Sequence, residues 1–145
     1  MNNNKKIMLS GIQPTGSLHI GNYLGALKNW ADILDEYYGF FCIVDYHAIT
    51  IEYDVKEMQK RIINAAVEYL ASGLDPKKCS IFVQSDVRAH TELAWIFNSI
   101  IPVAELERMT QYKDKSRKNV ENINAALLTY PSLMAADILL YHPDI

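Results

Sequence analysis

Apolar runs of strand length alternate along this chain with stretches whose apolar positions recur every three or four residues. The first run, Ile7-Met8-Leu9, lies in a predicted strand over about 6–11. From about 19 to 38, Ile20, Leu24, Leu27, Ala31, Leu34 and Tyr38 form one helical stripe, which Gly39 is expected to end. Phe40-Phe41-Cys42-Ile43-Val44 is continuously apolar, the pattern of a parallel strand covered on both faces. Asp54 opens the next helix, with Glu57 as capping-box partner and Val55, Met58, Ile62, Ala65 and Tyr69 as its buried face. Gly73 and Pro76 stop it. Ser80-Ile81-Phe82-Val83-Gln84 predicts a third strand, followed by helical character over about 91–101 and 104–110. A last helix is expected over about 123–141, bent or restarted at Pro131.

Strands separated by helices imply right-handed crossovers, hence a doubly wound parallel α/β sheet of Rossmann-like type. Such sheets bind ligands at the carboxyl ends of their strands. The loop at Gln13, the segment Asp45-Tyr46-His47 and the turn after Gln84 all fall on that edge. The last helix should feed a further strand, yet only His142-Pro143-Asp144-Ile145 follows it. The expectation is an unpaired sheet edge and a chain truncated before the later strands.

At 145 residues, half of them apolar, the chain is one domain in size, and its net charge of −3 provides no global field for nucleic acid. The most basic patch is Lys113-Asp114-Lys115-Ser116-Arg117-Lys118, which reads as a loop. Cys42 and Cys79 lack metal-ligand spacing, and as reduced core residues they favour the cytoplasm; no metal site is expected. The first six residues are too short and polar for a signal peptide, and no stretch reads as a membrane span.

Gly11-Ile12-Gln13-Pro14-Thr15-Gly16-Ser17-Leu18-His19-Ile20-Gly21-Asn22 carries the densest chemistry. A strand that turns through glycine and proline into a helix start aims backbone N–H groups and a positive dipole end at an anion. Gly16 and Gly21 keep side chains away from an approaching ligand, and His19 and Asn22 add donors. Pro-Thr-Gly is also ordinary turn chemistry, but the added His-x-Gly-Asn favours a nucleoside triphosphate. His19-Ile20-Gly21-Asn22 resembles the "HIGH" signature of class I aminoacyl-tRNA synthetases, with Asn in the last position. Gly11 to Gly16 together with Gly21-Asn22-Tyr23 resembles the tryptophanyl-tRNA synthetase branch. The resemblance, which extends over almost the whole chain, implies a HUP-type catalytic domain that uses ATP and Mg2+ to activate L-tryptophan and then charges tRNA(Trp). It assigns His19, Asn22 and Thr15 to the charge developing on phosphorus, and Gln13, Pro14, Thr15, Gly21 and Asn22 to the nucleotide.

Tyr130, Met134, Asp137 and Tyr141 share one face of the last helix, with Asp137 the lone charge in a long apolar run. By itself this is a core carboxylate in need of a partner. The segment resembles the family's tryptophan-binding helix, which implies that Asp137 accepts the indole N–H, Met134 packs on the ring and Tyr130 holds the amino-acid backbone. An apolar slot with one buried acceptor rejects phenylalanine, which leaves that acceptor unpaired. Asp45-Tyr46-His47-Ala48-Ile49-Thr50 resembles a further family motif and places His47 in the wall of the amino-acid pocket; a lone histidine is otherwise as readily structural.

Met109 to Ser116 resembles a family loop in which Lys113 or Lys115 touches pyrophosphate, although a solvated charge run has the same composition. Glu105-Leu106-Glu107-Arg108 resembles the inserted helical segment, about 88–120, that contributes to a homodimer interface. Leu9 stands where many relatives have an aromatic residue. A Lys-Met-Ser-Lys-Ser loop does not occur in these residues, nor does the helical anticodon-binding domain, so weak activation of tryptophan without efficient tRNA charging is expected. Two alternatives stay open. One is another nucleotidyltransferase, such as a tyrosyl-tRNA synthetase or a cofactor adenylyltransferase. The other is a catalytically silent domain that dimerises or binds a ligand.

Overall fold

The structure, a computed structural model, describes residues 5–16, 19–110, 112–114 and 123–145. Its centre is a parallel sheet of three strands, β1 (Lys6–Ile12), β2 (Tyr37–Ile43) and β3 (Cys79–Val83), in the order β1-β2-β3. β1 and β2 pair from Lys6 opposite Tyr37 to Ile12 opposite Ile43, and β2 and β3 from Gly39 opposite Cys79 to Ile43 opposite Val83. Phe41, Cys42 and Ile43 are buried, as the continuous apolar run of β2 requires.

Between β1 and β2 the chain forms α1 (Ile20–Asn22), a π turn (Tyr23–Leu27), α2 (Lys28–Ile33) and a 3₁₀ turn (Leu34–Glu36). The helix therefore ends before Tyr37, and Gly39 lies inside β2 rather than capping a helix. A Cβ on Gly39 would meet Phe41 at 2.7 Å and Leu34 at 2.9 Å, so this glycine serves close packing across the strand. The expected stripe also breaks: Leu27 and Leu34 are buried, whereas Ile20 is 71% and Leu24 55% exposed. A π turn takes in one more residue than an α turn, which rotates the first turn out of phase with the rest.

After β2 come α3 (Asp45–Ala48) and α4 (Val55–Ala71), the latter capped by Asp54, whose carboxylate accepts Lys56 N–H. Ala65 and Tyr69 bury its inner face, while Val55, expected on that face, is exposed in the first turn. Gly73, at φ 102°, carries the chain out of α4 in the left-handed region that favours glycine. A 3₁₀ turn (Gln84–Asp86) follows β3 and leads to α5 (Ala89–Asn98), α6 (Val103–Arg108) and α7 (Ala125–Tyr141). α5 begins and ends two to three residues earlier than the apolar pattern suggests. α7 runs unbroken through Pro131, so no restart occurs there. Among the described residues no helix is long and apolar enough to cross a membrane.

The free side of β1 does not stay unpaired. Ile145 N–H donates to Ile7 O at 3.3 Å, and its own carbonyl accepts Leu9 N–H at 3.0 Å, the alternation of a parallel ladder. The chain returning from α7 thus pairs beside β1, leaving β1 between this segment and β2.

Met8, Leu27, Leu34, Phe41, Ile43, Ala65, Tyr69 and Leu74 form the main core cluster. Trp30 stacks on Phe41 with ring centres 5.3 Å apart, and Tyr69 meets Trp30 edge-on at 6.0 Å. Tyr69 Oη–H donates to Cys42 O at 3.0 Å, tying α4 to the middle strand. Tyr69→Phe should therefore cost about 1 kcal/mol and Tyr69→Ala about 4 kcal/mol in urea unfolding. Equal stability of Tyr69→Phe and wild type would show that this bond carries no net weight.

Candidate active site

β1 ends at Ile12, and the chain turns at once: Thr15 N–H donates to Gln13 O at 2.8 Å. His19 then caps α1. Its Nδ1 accepts Gly21 N–H at 3.1 Å, and Asn22 Oδ1 accepts His19 N–H at 3.1 Å. A ring nitrogen that accepts an N–H is unprotonated, so neutral His19 holds its proton on Nε2. Both side chains spend acceptors on the helix end and keep donors, His19 Nε2–H and the Asn22 amide, for a ligand. Gly11, Ile12, Gln13, Thr15, Gly16, His19 and Asn22 line a cavity of about 460 Å³ here. Two further residues expected at the nucleotide, Pro14 and Gly21, are not among this lining. Pro14 is fully buried, and Gly21 faces the His19 imidazole, which a Cβ there would meet at 2.9 Å.

A second cavity, of about 300 Å³, opens where the carboxyl ends of β1 and β2 face α7. Its lining includes Tyr130, Met134, Asp137 and His47, the four residues expected at the amino acid, together with Leu9. Asn124 caps α7 by accepting Leu127 N–H at 2.9 Å, and its amide donates to Thr50 O, joining this helix to the segment that carries His47.

Asp137 is the electrostatic centre. Its Oδ2 lies 2.7 Å from His47 Nε2, and its Oδ1 lies 2.7 Å from His90 Nδ1. Gln84 Nε2 donates to both oxygens, at 2.8 and 2.9 Å. Burial alone would push the carboxyl pKa up, but the hydrogen bonds from His47, His90 and Gln84, with the field of His47, hold it below the ordinary carboxylate value. These four contacts, two on each oxygen, match the carboxylate's roughly four lone-pair positions, so a ligand N–H binds here by sharing or displacing one of them. Cys42 also lines this cavity, where burial first and then the charges of Asp137 and Asp45 push its thiol far up, making it an inert wall rather than a nucleophile.

The two cavities share Gly11 and Gln13. A Cβ on Gly11 would lie 2.8 Å from Cys42 O, so only glycine lets β1 approach β2 this closely at the junction. Sequence reasoning placed Gln84 near this edge without a role and passed over His90. Both are 0% exposed. The available signal was that buried polar residues need partners. Lys113 is exposed, and Lys115 lies outside the described residues.

The family model for class I tRNA synthetases of the W and Y type matches residues 1–145. A tryptophan–tRNA ligase of Clostridium tetani is 57% identical over the whole chain, which covers 43% of that protein. One from Prochlorococcus marinus is 53% identical, with 97% of this chain and 42% of that protein covered. Among solved structures, tryptophanyl-tRNA synthetase from Mycoplasma pneumoniae matches at a TM-score of 0.88 and 39% identity, over 96% of this chain and 40% of that one. The enzyme from Campylobacter jejuni complexed with ADP and tryptophan matches at 0.85 and 42% identity, over 90% and 40%. The chain thus spans less than half the length of the relatives it matches. With every residue inside the family match, and with a Rossmann-like sheet whose carboxyl edge carries two cavities that share Gly11 and Gln13, the chain belongs to the class I tRNA synthetases that comprise the tryptophan and tyrosine enzymes.

Proposed function

We propose that this chain supplies the ATP and L-tryptophan sites of a tryptophan–tRNA ligase. The observation that carries the reading is the junction of the two cavities at Gly11 and Gln13. Tryptophan in the Asp137 cavity, with its carboxylate towards that junction, faces the α-phosphate of ATP held between Gln13 and Asn22. A carboxylate oxygen attacks the α-phosphorus, and the bond to pyrophosphate breaks, giving tryptophanyl-adenylate. No base is needed, because the amino-acid carboxyl is already ionised. His19 Nε2–H, the Asn22 amide and Thr15 meet the charge that develops on phosphorus and on the leaving group. Mg2+ enters with the triphosphate, whose oxygens it binds; among the described residues the lining of this cavity holds no carboxylate. Asp137 accepts the indole N–H, Met134 packs on the ring, and Tyr130 and His47 wall the slot. Transfer to tRNA(Trp) belongs to the full-length enzyme in the cytoplasm.

We further read residues 88–120 as the dimerisation segment; positions 111 and 115–120 lie outside the described residues. Trp95, 77% exposed, stands with Ile96, Ile100 and Val103 on a broad apolar face of α5 and the start of α6. A second copy of the chain covers this face in the proposed homodimer.

L-Tryptophan should raise the melting temperature of the chain while L-tyrosine leaves it unchanged; a response to tyrosine alone points to a tyrosine enzyme, and a response to neither points to a silent domain. Asp137→Asn should weaken tryptophan binding about tenfold or more in calorimetry. The folded-state pKa of Asp137 is lowered, so its ionised form stabilises the fold above the unfolded value, and that contribution is lost as pH falls through the folded one. The stability gap between wild type and Asp137→Asn should accordingly narrow in urea titrations as pH falls below the ordinary carboxylate value. In light scattering, wild type should be dimeric and Trp95→Glu monomeric.

A further inference from the structure

His90 lines the same cavity as Asp137 and so far serves only as a donor to its carboxylate. It is fully buried, with Nδ1 2.7 Å from Asp137 Oδ1 and Nε2 2.9 Å from Tyr141 Oη. Its ring has little freedom to turn. Phe82 stacks against it at 6.1 Å between centres, Tyr141 packs at 5.5 Å, and Phe40 and Phe82 in turn hold Tyr141 at 5.1 and 5.6 Å. Gln84 is similarly fixed, because Tyr46 N–H donates to its Oε1 at 3.1 Å and so turns its NH2 group to Asp137.

We propose that His90 and Tyr141 are positioning residues for substrate selection: the Tyr141 hydroxyl donates to His90 Nε2, which fixes the His90 proton on Nδ1 facing Asp137. Together with Gln84 they hold the carboxylate in one orientation at the cavity wall, where an incoming N–H takes the place of one of the present donors. The inference rests on the reading of Asp137 as the indole acceptor. Each link has a defined direction. Burial first, then the fields of Cys42 and Asp137, push the Tyr141 phenol up to about 12, so near neutral pH it keeps the hydrogen it donates. His90 Nε2 accepts it, which leaves Nδ1–H for the carboxylate. His47, the third donor, holds the other oxygen, and both histidines line the cavity with Asp137. Removing this frame frees the carboxylate to rotate toward His47, so its alignment toward a ligand N–H is lost while the apolar slot remains.

The test compares L-tryptophan with 3-benzothienylalanine, in which sulfur replaces the indole N–H, by calorimetry on the chain. Wild type should prefer tryptophan about tenfold. In His90→Leu the preference should fall to about twofold through loss of tryptophan affinity, with benzothienylalanine affinity unchanged. His90→Asn, whose amide nitrogen stands near the former Nδ1, should restore most of it, and Tyr141→Phe should fall between. An undiminished preference in His90→Leu, or equal weakening of both ligands, overturns the positioning role. If wild type shows no preference or binds neither ligand, the indole-acceptor reading fails, and this inference fails with it. A readout that needs neither ligand nor variant is 15N NMR of the histidine rings. The His90 signals should show a protonated Nδ1 and a bare Nε2; a proton on Nε2 contradicts the proposal.

Discussion

Everything in this site depends on keeping one carboxylate charged inside a mostly apolar slot. Burying an ionised carboxylate without partners is prohibitively unfavourable, and such a group would take up a proton instead. Asp137 avoids this because three elements of the fold each deliver a donor: His47 from α3, Gln84 from the turn after β3, and His90 from α5. The arrangement is possible only at the carboxyl edge of the sheet, where the ends of β2 and β3 and the face of α7 converge. The same geometry that stabilises the charge places the carboxylate on the wall of the cavity.

A second constraint joins the chemistry on either side. Gly11 lets β1 lie against the Cys42 carbonyl, at the point where the linings of the Asp137 cavity and of the cavity at the His19 helix start meet. A larger residue at this point would separate them or displace β1. The helix start at His19 is equally economical. His19 and Asn22 close the first turn with their acceptor atoms, and what they present outward is donors, the polarity a phosphate requires.

The alternation of strand and helix, and with it the ligand edge, was legible because apolar runs and apolar stripes have different periods. Legibility failed where a local signal had two meanings. Gly39 reads as a helix stop, but close packing from Phe41 and Leu34 puts it mid-strand. Ile20 and Leu24 continue a perfect stripe on paper, but the π turn carries them to the surface. In the site, Asp137 stood out as the lone charge in an apolar helix, whereas Gln84 and His90 have no local pattern: their meaning comes only from partners 53 and 47 residues away. The pairing of Ile145 with β1 was invisible for the same reason, since a two-residue contact leaves no periodicity.

The central claim is that one continuous groove brings an amino acid at Asp137 and a nucleotide at His19 face to face. A crystal structure of the chain with L-tryptophan and a non-hydrolysable ATP analogue tests it most directly. The account requires the indole nitrogen within hydrogen-bonding distance of Asp137, the triphosphate against His19 and Thr15, and the amino-acid carboxylate beside the α-phosphate near Gly11 and Gln13. An indole turned away from Asp137, or ligands that enter from opposite faces of the sheet, would contradict it.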